Sequence, residues 1–176
     1  MLLLYNEAYQ IFMAVRRTQK INGDIAEVGI YMGGSAKLIS EAKGNKILHL
    51  FDTFEGLPEI STFDKKVKIH MFRSELSHVK NKLNKYDNVH IYKGLFPETA
   101  DSIKSNNFSF VHLDVDLYQS TKDCLEFFYR RMSKRGIILS HDYDFQGVRK
   151  AFNEFFRNKP EKVIRLPMSQ CMIVKE

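Results

Sequence analysis

The sequence predicts an α/β sandwich: a mostly parallel sheet, covered by helices on both faces and closed by an antiparallel terminal strand. Three observations predict it. Five short apolar runs each end in polar or glycine residues: "DIAEVGI" (24–30), "KILHLFD" (46–52), "NVHIYKG" (88–94), "FSFVHLDVD" (108–116) and "GIILSHD" (136–142). Helical patterns separate them, and near-continuous apolar strands alternating with helices imply a parallel sheet buried on both sides. The chain then ends in "EKVIRLP" and "SQCMIVKE" with only "MS" at the join. A parallel pair needs a dozen or more connecting residues, so these two runs must be antiparallel neighbours.

The helical segments follow from their periodicity. Leu4, Tyr5, Ala8, Ile11, Phe12 and Val15 form the packing face expected of an N-terminal helix within residues 1–21, ahead of a core at 22–176. "GSAKLISEAK" puts Ser35, Leu38, Ile39 and Ala42 on one face. "STKDCLEFFYRRM" buries Cys124, Leu125, Phe128 and Met132, with Ser120 and Thr121 as helix caps. "GVRKAFNEFFRN" aligns Val148, Ala151, Phe152, Phe155 and Phe156, and Asp144 stands where its N-cap is expected. Residues 57–72 are the least regular stretch and read as a surface loop leading into a helix.

At 176 residues with 44% hydrophobic composition, the chain fits one domain, 1–176, with a sizeable core. No run approaches the roughly 20 apolar residues of a membrane span. The opening "MLLLYNEAYQIF" lacks a basic leader and a cleavage site, which argues against a signal peptide. Cys124 and Cys171 show no metal or redox spacing, and two unpatterned thiols point to a reducing, cytoplasmic setting. Of the net charge of +6, residues 64–93 carry +5. That segment reads as a solvated helix face or as attraction to an acidic partner or nucleic acid.

In an open α/β sheet, ligands sit beyond the carboxyl ends of the strands, so the strand ends carry the chemistry. The first gives "EVGIYMGGSA", with Glu27, Gly29, Gly33, Gly34 and Ser35. Glycines there let backbone approach a ligand, and the helix start offers free N–H groups to an anion. Tyr31 occupies the middle position of a would-be G-x-G-x-x-G, which lowers the prior for a nicotinamide or flavin enzyme. Asp52, 23 residues after Gly29, has the spacing of a carboxylate that accepts hydrogen bonds from ribose hydroxyls, or it is a helix N-cap or turn residue. The fourth strand ends in Asp114, Val115 and Asp116, and the fifth in His141, Asp142 and Asp144. Side chains alternate along a strand, so His112, Asp114 and Asp116 are expected to share a face, with Val115 opposite.

"AEVGIYMGGSAKLI", "LFDTFEGLP", "KGLFPETA", "FVHLDVDLYQST", "ILSHDYD", "GVRKAFNEFF" and "SQCMIVK" together resemble the macrocin O-methyltransferase family, over about residues 22–175 and in unbroken order. The resemblance implies the class I methyltransferase fold, a Rossmann-like three-layer sandwich with seven strands and an antiparallel last strand. It implies S-adenosylmethionine as cofactor. Glu27, Gly29 and the Gly33–Ser35 turn would hold the methionine end and Asp52 the ribose. Thr53, Phe54, Glu55 and Gly56 would line the adenosine side, Gly94 the adenine, with Asp114 and Val115 beside them. The implied partner is a small-molecule hydroxyl acceptor, a sugar or glycosylated natural product. Nucleic acid is disfavoured, because "DVDLY" is not the N/D-P-P-Y ending of many base methyltransferases.

The related metal-dependent enzymes hold Mg²⁺ through an Asp after the fourth strand and an acidic pair after the fifth. Asp114 and Asp142 match that pattern and His141 departs from it. Imidazole is a poor ligand for a cation that prefers hard oxygens. Two expectations follow: a site with two carboxylates, Asp114 and Asp142, completed by other oxygens, or a metal-free site with His141 as general base and Asp114 or Asp142 orienting it. The roughly 22 residues before the first strand are short for a lid. A partner subunit in a homo-oligomer, a large acceptor docking on an open site, a chain that is a fragment, or a cofactor-binding module without catalysis would each account for that.

Overall fold

The computed structural model describes residues 3–176; Met1 and Leu2, from the apolar start, lie outside the described residues. Seven strands form one sheet, β1 (Asp24–Val28), β2 (Leu48–Asp52), β3 (Val89–Lys93), β4 (Phe108–Leu113), β5 (Met132–Ser140), β6 (Ile164–Arg165) and β7 (Cys171–Val174), in the order β3-β2-β1-β4-β5-β7-β6. β1 to β5 are parallel, and β7 runs antiparallel to both β5 and β6. The expected terminal hairpin is therefore present, with its second strand docked on the parallel sheet. Among the described residues no helix is long and apolar enough to cross a membrane.

Alternation along the strands splits the core between two faces. Ala26, Val28, Phe51, Val111 and Ile138 face one side, where α4 (Tyr118–Tyr129) and α5 (Gln146–Phe156) add Leu125, Phe128, Val148 and Phe152. Ile25, Leu48, Leu50, Phe110 and Leu139 face the other. There α1 (Tyr5–Thr18), α2 (Gly34–Ala42) and α3 (Leu76–Leu83) add Ile11, Val15, Ile39 and Val79. Each fully buried aliphatic or aromatic side chain contributes about 1.5–3 kcal/mol. The two layers thus supply the force that holds the strand ends in line.

Four local expectations are corrected. The buried stripe of α1 runs through Glu7, Ile11, Ala14, Val15 and Thr18, while Leu4 and Tyr5 are 51% and 85% exposed. Met132 belongs to β5, because the chain turns at Arg130 and enters the sheet earlier than the glycine at 136 suggested. Asp144 does not cap α5: the residue before that helix is Phe145, and Asp144 pairs with Lys66 at 3.2 Å. Ser120 and Thr121 lie inside α4, which begins at Tyr118. The Thr121 hydroxyl donates to Leu117 O at 2.7 Å.

The cap of α4 comes from 54 residues away. Buried Asp64, in the loop after β2, accepts the Tyr118 backbone N–H at 2.9 Å, and its other oxygen accepts from Ser61. Gly147 makes room for it: a Cβ there would meet Asp64 Oδ1 at 2.2 Å. A local sequence pattern cannot reveal a cap that arrives from a distant loop. Removing an N-cap costs about 0.5–2 kcal/mol. Asp64→Ala should therefore lower the urea-unfolding free energy by about 1–2 kcal/mol, whereas Ser120→Ala should change it by less than about 0.5 kcal/mol. A larger loss for Ser120→Ala would restore the local cap.

Candidate functional site

The site is assembled by strand register. Phe51, Val28, Leu113 and Ser140 are aligned across β2, β1, β4 and β5. The residues that follow them, Asp52, Gly29, Asp114 and His141, emerge side by side at the carboxyl rim. Backbone bonds carry the alignment past the strands: Gly29 N donates to Phe51 O, Asp114 N to Val28 O and His141 N to Leu113 O, at 2.8–3.0 Å. Gly29 adopts φ +83°, and a Cβ on it would lie 1.9 Å from Asp114 O. No other residue fits this close approach.

Above this rim lies a cavity of about 320 Å³. Gly29, Gly34 and Ser35 line it from the first loop, Asp52 and Thr53 from the second, Gly94 from the third, and Asp114, Val115, His141 and Asp142 from the rim. Four predicted residues stand apart. Glu27 is fully buried beneath the loop, where it is the register partner of His112 and accepts from its Nδ1 at 2.8 Å. Burial raises the Glu27 pKa against the pull of His112. Gly33 packs on Val79 with φ +72°. Phe54 is buried in the core, and exposed Glu55 pairs with Lys93 at 3.2 Å.

Asp52 is bound to its own scaffold. Its Oδ2 accepts the N–H groups of Ile30 and Tyr31, both at 2.8 Å, and its Oδ1 that of Phe54 at 2.7 Å. One carboxylate thereby shapes both the glycine loop and the turn after β2. Burial raises its pKa despite these three donors. Thr53 Oγ1 donates to Gly56 O and fixes the same turn.

At the other end of the cavity sits a charge cluster. His141 Nδ1 is 3.2 Å from Asp114 Oδ1 and 3.3 Å from Asp142 Oδ2. Its Nε2 is 3.2 Å from Glu7 Oε2, close enough for an ion pair though off the line of a hydrogen bond. Burial works against the imidazolium, but the Asp114 and Asp142 carboxylates outweigh it and push His141 up to about 12. Burial would raise Asp114, and the same contact with His141 holds it below the usual range. Asp142 is raised by burial.

Asp116 lines the cavity as well, with Asp114 and Val115. The expected alternation of 112, 114 and 116 on one face fails, because β4 ends at Leu113 and Asp116 turns back at φ +59°. Burial, then the nearby charges of Asp114 and Asp142, push its carboxyl up to about 9. Sequence reasoning missed Glu7 because one acidic residue on a helix looks solvated. It missed the cavity-lining role of Ser120, expected as a cap, of Tyr31 and Leu57, which lie inside quoted motifs but carry none of their chemistry, and of Phe72 and Phe145, which come from a loop and a helix end with no motif of their own.

The family model described as Macrocin-O-methyltransferase (TylF) matches residues 7–172. The 8-demethyl-8-(2,3-dimethoxy-alpha-L-rhamnosyl)-tetracenomycin-C 4'-O-methyltransferase of Streptomyces olivaceus is 28% identical over 152 residues, 77% of this chain and 58% of that protein. The mycinamicin III 3''-O-methyltransferase of Micromonospora griseorubida is 25% identical over 154 residues, 77% of this chain and 61% of that protein. The chain thus spans about three fifths of the length of these curated relatives. Among solved structures, the O-methyltransferase NovP superposes with a TM-score of 0.84 at 20% identity, covering 96% of this chain and 78% of that one. The calicheamicin methyltransferase CalS11 superposes with 0.82 at 18% identity, covering 98% and 80%. The seven-stranded sheet with its antiparallel β7 is the class I methyltransferase fold of these neighbours, and the chain belongs to the macrocin O-methyltransferase family.

Proposed function

We propose that this chain transfers a methyl group from S-adenosylmethionine to a hydroxyl of a small molecule, a sugar or a glycosylated natural product. The observation that carries the reading is the continuity of one cavity, from the Gly29–Asp52 loops to the charge cluster at Asp114, Asp116 and His141. A nucleoside-binding end and a proton-handling end meet in it. Family membership supports the same reading, and the relatives, a rhamnosyl-tetracenomycin 4'-O-methyltransferase and a mycinamicin III 3''-O-methyltransferase, point to sugar hydroxyls.

The cleft suits the cofactor. Gly29 and Gly34 offer close backbone, the half-buried Asp52 keeps lone pairs for ribose hydroxyls, and Phe51, Leu95 and Phe96 make an apolar slot beside Gly94. Glu27, beneath the loop, braces the methionine end through His112 rather than by lining the cavity. When bound, the cofactor supplies an activated methyl on a sulfonium, whose positive charge also favours the ionised form of Asp116. The chain's own part is to align the acceptor hydroxyl in line with that methyl and to take its proton. His141 keeps its own proton to about pH 12 in this arrangement, so its role moves from base to fixed cation beside the reacting oxygen. Asp116, raised to about 9, holds its proton less tightly than His141, and in its ionised form, which a cationic sulfonium beside it favours, it is the group placed to take the hydroxyl proton. Asp114 and Asp142 orient His141.

The donor set does not fit Mg²⁺. Ligand atoms of Asp114, His141 and Asp142 lie within 4.8 Å of one another. However, the imidazole is turned onto both carboxylates and supplies the positive charge that a metal would bring. No step above needs a metal. We also propose a cytoplasmic setting, in keeping with two buried free thiols, Cys124 and Cys171. The basic 64–93 segment is partly neutralised locally, with Lys66 paired to Asp144, Lys85 to Glu41 and Lys93 to Glu55, which favours a solvated surface over a nucleic-acid footprint.

Isothermal titration with S-adenosylhomocysteine should show micromolar binding that Asp52→Ala weakens at least tenfold; no heat at millimolar ligand sinks the reading. With radiolabelled S-adenosylmethionine and a panel of sugar nucleotides and glycosides, Asp116→Asn should lower kcat by roughly 10²–10⁴-fold. The same variant tests the electrostatics. A carboxyl raised to about 9 in the fold contributes stability that is whole below its unfolded value near 4 and is lost as pH climbs through 9. Asp116→Asn should therefore raise the melting temperature by several degrees at pH 8 and leave it unchanged at pH 4; equal effects at both pH values would refute the shift. Finally, His141→Asp should gain millimolar Mg²⁺ binding by calorimetry that the parent chain lacks. Equal Mg²⁺ binding by both would restore the metal site.

A further inference from the structure

The N-terminal helix brings a third carboxylate to the cluster. Glu7 is 2% exposed, although it sits in the first turn of a helix whose neighbours Leu4, Tyr5 and Asn6 are exposed. Its Oε1 accepts from Ser169 Oγ at 2.5 Å and from Ser169 N at 3.3 Å, and its Oε2 accepts from Leu4 N at 3.0 Å. Ser169 lies in the turn before β7, so the carboxylate is held from two sides of the chain. Its Oε2 lies 3.2 Å from His141 Nε2. A buried carboxylate is costly unless paired and hydrogen-bonded. An apolar residue would suit the stripe of Ile11, Ala14 and Val15 better if packing were the only demand.

We infer that Glu7 is a positioning residue of the active site: from α1 it holds the Nε2 edge of the His141 ring, so that Nδ1 is presented to Asp114 and Asp142. The ring has two edges, and the sheet rim supplies partners for only one of them. Without Glu7 the imidazole is free to rotate about χ2 and to swing Nδ1 away from the carboxylates. The helix is thereby part of the catalytic assembly as well as packing on the sheet. Leu3, just before it, already lines the cavity. As a statement about catalysis this rests on the transferase reading above; as a statement about ring geometry it does not.

Two readouts separate those parts. In protein carrying ¹⁵N-histidine, two-bond ¹H–¹⁵N spectra report both ring nitrogens, and the His141 signals are those lost in His141→Asn. Glu7→Gln keeps the shape of the side chain and removes its charge. It should shift the His141 Nε2 resonance by several ppm while the signals of His49 and His112 stay in place. Affinity for S-adenosylhomocysteine should stay within twofold, while kcat on any accepted sugar falls at least tenfold with KM little changed. A purely structural Glu7 would lower the melting temperature and leave the His141 signals of the folded protein unmoved, which overturns the inference. If Glu7→Gln does not fold, Ser169→Ala, which loosens the Glu7 anchor without touching His141, decides instead. Movement of the His141 signals then supports the inference and their constancy overturns it. Absence of methyl transfer by the parent chain counts against the preceding reading, while the ring signals still decide this one.

Discussion

The shared register of β2, β1, β4 and β5 is the constraint on which the rest depends. Phe51, Val28, Leu113 and Ser140 are level, so each strand releases its next residue at the same height. Parallel strands lie about 4.8 Å apart. Asp52, Gly29, Asp114 and His141 thus span the rim within three strand spacings. A shift of one residue in any strand would turn its chemistry into the core and its apolar residues into the cavity. The backbone bonds beyond the strands, and the glycine that tolerates Asp114 O so close, leave no slack in that arrangement.

Charge is distributed along this rim with its counter-charge built in. Three carboxylates surround one imidazole; against burial, the imidazolium holds Asp114 ionised, while Glu7 is held ionised first by its hydrogen bonds from Ser169 and the Leu4 amide and then by His141. Asp116 lacks such a partner and has its pKa raised by burial and by its acidic neighbours. Groups whose environments push their proton affinities apart are those suited to divide proton-transfer roles. The same strain makes the site a stability cost that the packed layers on both faces of the sheet must offset. Phe51, Phe108, Phe110, Phe128 and Phe152, all fully buried, supply much of that packing.

The architecture was legible because its signals are local. Short apolar runs separated by helical periodicity specify a covered parallel sheet, and the short join after "EKVIRLP" excludes a crossover. The rim residues Gly29, Asp52, Asp114 and His141 were legible because strand ends carry ligands in such sheets. The misreadings share one cause. Asp144 and Ser120 stand at positions where local pattern alone expects caps, yet Asp144 answers Lys66 and the α4 amide is met by Asp64. His112, Asp114 and Asp116 would share one face only along a strand that runs on past Leu113, where β4 ends. In each case the partner, or the end of the pairing, is set by chain distant in sequence.

The sequence by itself determined the strand and helix order, the antiparallel close, the glycine loop and the acidic rim, because periodicity, turn chemistry and short connections act over a few residues. Only the tertiary structure decided what those residues do to one another. It brought Glu7 to the far edge of His141, buried Glu27 against His112, and set His141 between two carboxylates that raise its proton affinity. Proton affinity depends on burial and on charges a few ångströms away, and those distances exist only once the helices have closed on the sheet.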